Sequence, residues 1–438
     1  MRPKMPATAF LTSGETPARS TAARSTAALS TASLGATSRR SFLGGTLASS
    51  CVAAGTLPTS GLFAAGQQRL RVGLVGCGGR GTGAALQALA SDPSVRVVAM
   101  GDVFADQITS AADVLERAGG QFDCPTTQRF VGQDAYRQVI DSGVDVVLLA
   151  APPHVRPLHL EAAVAAGKHV YCEKPVAIDA AGVVRAAAAA ARSRAAGLAL
   201  VSGFCFRRDD RMVEMVTRVH DGAIGRPRLV QAHAAIGLPW RKPAESSHAS
   251  GEWPLRNWIS FARFSGGHFV EQHVQAIDRA AWIMGDVPPL QAECTAGTAC
   301  APNGAHDNGA TGAIGDCPAH TAVRYTFADG RTIDASIDRR ERTGDRIVET
   351  VTGSAGNCDL VRGRITGRWG STTAPPPGSG RFSATISALV EGILSGRAAH
   401  DGDTMCRSTL MALMGRIAAE TGSAVAWSEL VGGDSRLA

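Results

Sequence analysis

VGLVGCGGRG, residues 72–81, decides the fold of this 438-residue chain. Arg69–Val75 reads as a strand buried on both faces, and Gly76-Cys77-Gly78-Gly79-Arg80-Gly81 follows it as a complete G-x-G-x-x-G. Ala84–Ala90 then reads as a helix. Val95–Gly101 reads as a second strand ending at Asp102, 21 residues past Gly81. Strand, glycine turn, helix, strand and terminal acid together make a dinucleotide fingerprint. Gly76 permits the tight turn, Gly78 lets backbone approach a pyrophosphate, and Gly81 lets helix and strand pack closely. Gly79 and Arg80 complete the loop, and the free N–H groups of the helix N-terminus face the phosphates. Asp102 is placed to accept hydrogen bonds from a ribose 2′-hydroxyl and would repel a 2′-phosphate, so the expected cofactor is NAD, with NADP disfavoured.

The alternation continues outward. Val144–Ala150, His169–Cys172 and Leu198–Ser202 read as strands, and Leu158–Ala166 and Asp179–Ala196 as helices, which predicts a doubly wound parallel sheet. Ligands in such sheets sit at the carboxyl ends of strands. Two of those ends carry chemistry, Pro152-Pro153-His154 and Cys172-Glu173-Lys174-Pro175.

The net charge of +6 points to no acidic partner. Residues 1–65 hold six basic residues and one acid, and the remainder holds 38 basic and 37 acidic residues. The globular part is near neutral, which removes nucleic acid from the expected partners. The charge belongs to a leader. Ser38-Arg39-Arg40-Ser41-Phe42-Leu43 precedes a short run, Gly44–Leu57, too rich in Gly and Ser to span a membrane. The pattern is similar to the bacterial twin-arginine (Tat) export signal, so the Tat machinery is an expected partner and the periplasm the expected location, with processing near Ala64-Ala65. A Ser/Arg-rich plant-type transit peptide is the rival reading. No zinc spacing appears and no metal is expected. Cys294, Cys300 and Cys317 gather in a loop-like segment where an oxidising compartment would allow a disulfide.

AGKHVYCEKPVA (166–177), the G-x-G-x-x-G and the Pro-Pro-His loop together resemble the Gfo/Idh/MocA family of oxidoreductases, over roughly residues 69–430. The resemblance implies residues 66–202 as a Rossmann NAD-binding domain. It implies residues 203–438 as an α/β domain with a large open, mostly antiparallel sheet, which binds substrate and makes a homo-oligomer. It also implies that Lys174 contacts the substrate hydroxyl and assists proton transfer while Glu173 binds the nicotinamide ribose. The residue types agree, since a lysine at a strand's carboxyl end beside a cationic ring is placed to exchange a proton.

In SGGHFVEQHVQAIDRAAWIMGD (265–286), Glu271, Gln272, Gln275 and Asp278 recur at helical offsets and share a face. The family pattern here is D-x-x-x-H-x-x-D, matched by Glu271, Gln275 and Asp278. The chain therefore departs from the family at Gln275, which cannot carry a proton. His273, which the resemblance shares with exported relatives, is the candidate to replace the lost histidine, or Lys174 acts alone. His268 is a further candidate substrate contact. The segment Leu238–Asn257 offers Trp240, Trp253 and Trp258 to stack on a sugar face or to fill a core, and Arg241, Arg256 and Asn257 to bond hydroxyls. Arg207 joins the candidate substrate residues.

The expected function is NAD-dependent hydride transfer on a sugar, polyol or related hydroxy compound. A glycosidase that retains NAD, as in glycoside hydrolase family 109, and a non-catalytic sugar-binding protein remain alternatives.

Residues 291–318 read as a long connection. His320–Phe327, Arg331–Asp338, Arg346–Thr352 and Cys358–Arg364 read as strands with a hairpin at Asp329-Gly330, and Phe382–Leu394 and Thr404–Thr421 as closing amphipathic helices.

Overall fold

The computed structural model describes residues 69–243, 251–296, 315–339, 344–374, 380–433 and 436–437. The twin-arginine leader and Cys300 lie outside them.

Six strands form the first sheet: β1 (Leu70–Val75), β2 (Val95–Asp102), β3 (Arg129–Val131), β4 (Val146–Leu149), β5 (His169–Cys172) and β6 (Leu200–Ser202). Their order is β3-β2-β1-β4-β5-β6, and every pair is parallel. β4 is buried along its whole length and β1 at all but one residue, as strands covered by helices on both faces must be. The strand order reverses between β1 and β4, which opens a crevice at their carboxyl ends. The helix after β5 runs Ala180–Ala195, and Asp179 caps it by accepting from Gly182 N at 2.6 Å. The helix after β1 starts at Gly79, inside the glycine motif and five residues before the sequence pattern predicts.

Nine strands form the second sheet: β7 (Pro227–Ile236), β8 (Gln291–Ala296), β9 (His320–Thr326), β10 (Thr332–Arg339), β11 (Arg346–Gly353), β12 (Asn357–Asp359), β13 (Arg364–Gly367), β14 (Gly370–Thr373) and β15 (Val425–Ala426). The order is β14-β13-β12-β11-β7-β10-β9-β8-β15. Only β7 and β10 pair in parallel, so the sheet is mixed and mostly antiparallel, as expected. Alternation along β10 buries Ile333, Ala335, Ile337 and Arg339 against helices and leaves Thr332, Asp334, Ser336 and Asp338 on the other face. That outer face is polar. Arg324 forks onto Asp334 at 2.7 and 2.9 Å, and His233 Nδ1 lies 2.8 Å from Ser336 Oγ.

Three sequence readings are corrected. The run 358–364 is two strands, because Asp359 Oδ1 accepts from Arg362 N at 2.8 Å and turns the chain at Leu360–Gly363. The expected long connection begins as β8, seated between β9 and β15. The helix Gly402–Thr421 is enclosed rather than amphipathic: Met405, Leu410, Met411, Leu413, Met414 and Ala418 are all buried. The helix Arg381–Leu394 returns to the first sheet and buries Ile386, Leu389, Val390 and Ile393 with Val72, Leu74 and Leu89. Cys294 is disulfide-bonded, whereas Cys317 is a buried free thiol. Among the described residues no helix is long and apolar enough to cross a membrane.

Candidate active site

Gly76 has φ +93, and a Cβ there would meet Ala151 N at 2.4 Å. A Cβ on Gly81 would meet Gly76 O at 1.9 Å, so the loop folds onto itself only with glycine at both positions. The neighbouring positions are different. A Cβ on Gly79 would meet nothing beyond its own chain neighbours and helix backbone within 4 Å, and one on Gly78 would come no nearer than 4.0 Å to Gln107 Oε1. The loop thus leaves an open stretch of bare backbone at the start of the helix Gly79–Ser91, the cradle that a pyrophosphate needs. Asp102 ties this loop to the end of β2. Its Oδ2 accepts from Cys77 N at 2.7 Å and its Oδ1 from Phe104 N at 2.9 Å. Burial pushes its carboxyl above the usual range, against the pull of those two bonds.

Arg80 leaves the loop toward β5. Its Nε lies 3.2 Å from Glu173 Oε1, its Nη2 donates to Gln87 Oε1 at 2.8 Å, and its guanidinium stacks 4.5 Å over Phe382 on the returning helix. Glu173 is buried. It also accepts from Tyr171 Oη at 2.5 Å and from Lys174 N at 3.1 Å. The Pro152-Pro153-His154 loop is joined to the same strand end by buried Arg156, which donates to Ala151 O at 2.5 Å and to Pro175 O. His154 packs on Phe264, with ring centroids 5.0 Å apart, and burial followed by the Arg156 charge lowers its pKa to about 4.

Lys174 Nζ donates to Glu271 Oε1 at 2.8 Å and to the Glu271 carbonyl at 2.7 Å. Glu271 is buried, and burial raises its carboxyl pKa despite Lys174 beside it. Its Oε2 has no hydrogen-bond partner. One helical turn on, Gln275 Nε2 donates to Gly203 O at 3.0 Å, while its Oε1 is buried and unpartnered. Gly203 adjoins the lysine: a Cβ there would stand 2.8 Å from Lys174 N and 2.7 Å from Glu173 Oε2. Glu173, Lys174, Glu271 and Gln275 are therefore one cluster at the carboxyl end of β5.

The other candidates are placed elsewhere. The chain breaks at Gln272–His273, between the short helix His268–Glu271 and the helix Val274–Ile283. His273, two residues past Glu271 and so on the opposite side, turns to the second sheet, where its Nε2 lies 2.9 Å from Ala232 O and its ring sits against Phe269. Burial lowers its pKa to about 4. It cannot replace the missing family histidine, because the sheet has taken it up. Asp278 is fully buried and bonded to Arg207 and to Ser408 Oγ, and Arg207 is shared with Asp286. Both are spent on holding Cys205–Arg208 to the helix Val274–Ile283, and neither is free for substrate. His268 is buried with Nδ1 unpartnered, its pKa lowered to about 3 by burial and then by Arg339. Arg256 binds Asp106 and Glu252 rather than opening to solvent. Asn257 is fully buried and bonds Lys242 and Trp253. Trp258 is half-buried and Trp240 is exposed. The sequence reading missed the bridge from Arg80 to Glu173 and the Arg156 brace. The adjacency of Arg156 to the Pro-Pro-His loop is the signal that could have found the second. Among the described residues no cluster of His, Cys, Asp or Glu is arranged to hold a metal ion.

Two domain descriptions of one family match the chain: "Oxidoreductase family, NAD-binding Rossmann fold" over residues 70–199, and "Oxidoreductase family, C-terminal alpha/beta domain" over residues 216–362. Together they cover more than half of the chain. The chain belongs to the Gfo/Idh/MocA oxidoreductase family. Among its curated relatives, a myo-inositol 2-dehydrogenase of Thermotoga maritima is 26% identical over 219 residues, 50% of this chain and 55% of the relative. An inositol 2-dehydrogenase of Saccharopolyspora erythraea is 34% identical over 174 residues, 39% of this chain and 47% of the relative. The chain spans about half the length of the curated relatives it matches. Among solved structures, scyllo-inositol dehydrogenase from Lactobacillus casei with NAD(H) and scyllo-inositol is 18% identical at a TM-score of 0.61, over 82% of this chain and 99% of that one. An aldose-aldose oxidoreductase from Caulobacter crescentus is 21% identical at the same TM-score, over 82% and 99%. These two share the fold. The first Gfo/Idh/MocA domain is NAD-binding, and the residues fit that cofactor: the bare Gly78–Gly79 backbone would hold the pyrophosphate, and Asp102, with lone pairs beyond those given to Cys77 and Phe104, would take a ribose hydroxyl. NAD supplies a hydride acceptor.

Proposed function

We propose that this Gfo/Idh/MocA protein is an NAD-dependent dehydrogenase of a polyol, sugar or related hydroxy compound. One observation carries the reading. Beside the strand end that follows the cofactor cradle, Lys174 bonds Glu271, whose Oε2 is buried and unpartnered, and four residues on Gln275 Oε1 is buried and unpartnered as well. Unmet buried acceptors are costly, about 1–3 kcal/mol each, unless a ligand satisfies them. Two unmet acceptors four residues apart, one of them on the carboxylate that Lys174 bonds, match a compound carrying neighbouring hydroxyls. The inositol dehydrogenases among the relatives point the same way.

In this reading Lys174 and Glu271 hold the reacting hydroxyl and Gln275 holds its neighbour. Glu173, braced by Tyr171 and Arg80, faces the nicotinamide ribose. Asp102 favours NAD over NADP. The leader carries the protein to the periplasm through the Tat pathway, and a cofactor held since folding suits a compartment poor in free NAD. The outer face of the nine-stranded sheet, with its polar pairs, is the surface through which copies assemble.

The test is a panel of polyols, sugars and glycosides scored by reduction of NAD on the purified protein. Reduction by a polyol or free sugar supports the reading. Glycoside cleavage with no net NADH replaces it with the family 109 chemistry, and absence of NAD binding replaces it with a sugar-binding role.

A further inference from the structure

Oxidation of an alcohol releases a proton from its hydroxyl, and the group that takes it is not where the family pattern puts it. Gln275 is a neutral amide whose Nε2 is already given to Gly203 O. His273 is bonded to the second sheet. Lys174 and Glu271 remain, and in their contact the lysine is the donor twice over, to Glu271 Oε1 and to the Glu271 carbonyl. The unused atom of the pair is Glu271 Oε2, buried and without a partner.

We propose that Glu271 is the general base, acting through Oε2, and that Lys174 is the electrophile that stabilises the substrate oxygen. This deepens the dehydrogenase reading and rests on it. The step balances. The hydride leaves the substrate carbon with the C–H electron pair for the nicotinamide of NAD. The O–H electrons become the second bond of the carbonyl, and the proton passes to Glu271 Oε2. In reduction the protonated Glu271 returns it. The third N–H of Lys174 holds the oxygen while negative charge builds on it. The charged groups that act on Glu271 are Lys174 and Arg156, which favour its carboxylate, and Glu173, which opposes it. Burial outweighs them and raises the carboxyl, toward the range where a base is efficient at neutral pH.

The experiment compares wild type, E271Q, E271D and K174M, each isolated with NAD bound. Retained NAD and circular dichroism report folding. Polyol affinity is read by calorimetry, and hydride transfer by single turnover across pH. E271Q should keep NAD and bind polyol within a few-fold, lose about 10²–10⁴ in rate, and lose the acid limb of the pH profile. E271D should retain the acid limb at a reduced rate. K174M should be slow but keep a carboxylate limb. Infrared difference titration should find a carboxyl above the ordinary carboxylate range in wild type that is missing from E271Q, while the raised Asp102 and Asp278 carboxyls persist in both. An acid limb that survives in E271Q, or that vanishes in K174M alone, overturns the assignment while leaving the dehydrogenase reading intact. A wild type that reduces NAD with no polyol or sugar overturns both.

Discussion

Arg256 forks onto Asp106, Nη1 to Oδ2 at 2.9 Å and Nη2 to Oδ1 at 2.8 Å, with its guanidinium 4.0 Å over the Phe104 ring. This clasp joins Glu252–Arg256 to the first turn of the helix after β2, beside the acid that would bind the adenosine ribose. Exposed ion pairs contribute about 0–1 kcal/mol, so global stability is the wrong readout. The expected effect of R256A is local: faster hydrogen exchange at 252–257 and faster loss of bound NAD, with an unchanged melting temperature. Arg256 holds the Asp106 carboxyl at about 2. A lowered carboxyl contributes above its unfolded value, roughly 3.9, and loses that contribution as pH falls through the folded one. Exchange at 252–257 in wild type should therefore rise below about pH 4 and approach that of R256A near pH 2.

Arg207 and Asp278 form a buried anchor. Removing the arginine strands Asp278, fully buried, beside Asp286. Breaking a buried pair costs about 3–5 kcal/mol, whereas replacing both partners by apolar groups costs far less. R207M should lower the unfolding free energy obtained from urea denaturation by about 3–5 kcal/mol, and R207M/D278L should recover most of it. An R207M protein of normal stability with a raised substrate KM would instead return Arg207 to the substrate site.

The proposed reading gives Asp102 two tasks, bracing the loop and selecting NAD, and one substitution tests both. D102A frees Cys77 N–H and Phe104 N–H, which loosens the phosphate loop and weakens NAD. It also removes the negative charge that opposes a 2′-phosphate, so NADP should lose less affinity than NAD or gain. Calorimetric dissociation constants for both cofactors decide it; an unchanged ratio places the ribose contact elsewhere.

What the sequence displayed was local. Glycine spacing, a run of apolar residues before it and an acid 21 positions after it specify β1, the helix at Gly79–Ser91 and β2, because each feature acts within a few residues of its own strand or turn. Glu173 and Lys174 were legible for the same reason. The partner of His273 was not. Its offset of two residues from Glu271 turns it to the opposite side, but the acceptor it meets there, Ala232 O, lies 41 positions back in the chain. The partners of Arg256 and Arg207 lie 150 and 71 positions away, so these residues looked like open hydrogen-bond donors when they are saturated. Gly402–Thr421 looked amphipathic because its small residues read as a polar face, whereas Ser408, Thr409 and Gly415 are buried.

Export is tested on the leader itself. With Arg39 and Arg40 replaced by Lys, unprocessed protein should accumulate in the cytoplasm, and mass spectrometry of exported wild type should find its N-terminus near Ala64–Gln67. Efficient export of the double variant would remove the twin-arginine reading.

Gln275 stands where the family pattern has histidine, and Q275H tests what that departure changed. The amide gives Nε2–H to Gly203 O and leaves Oε1 as a buried acceptor without a partner. A neutral imidazole can repeat this, donating from one ring nitrogen and accepting at the other. The difference is that the imidazole can also keep the proton, with an unperturbed value near ~6.5 that burial beside Lys174 would lower. With Glu271 already acting as base, the variant gains a second acceptor, so kcat/KM should show a two-step acid limb, and E271Q should be partly rescued by Q275H. Q275A should behave differently, raising KM through loss of one hydroxyl contact while leaving the shape of the pH profile unchanged. A Q275H profile superimposable on wild type, with no rescue of E271Q, would show that position 275 never meets the reacting hydroxyl and only braces Gly203 against the Glu173–Lys174 strand end.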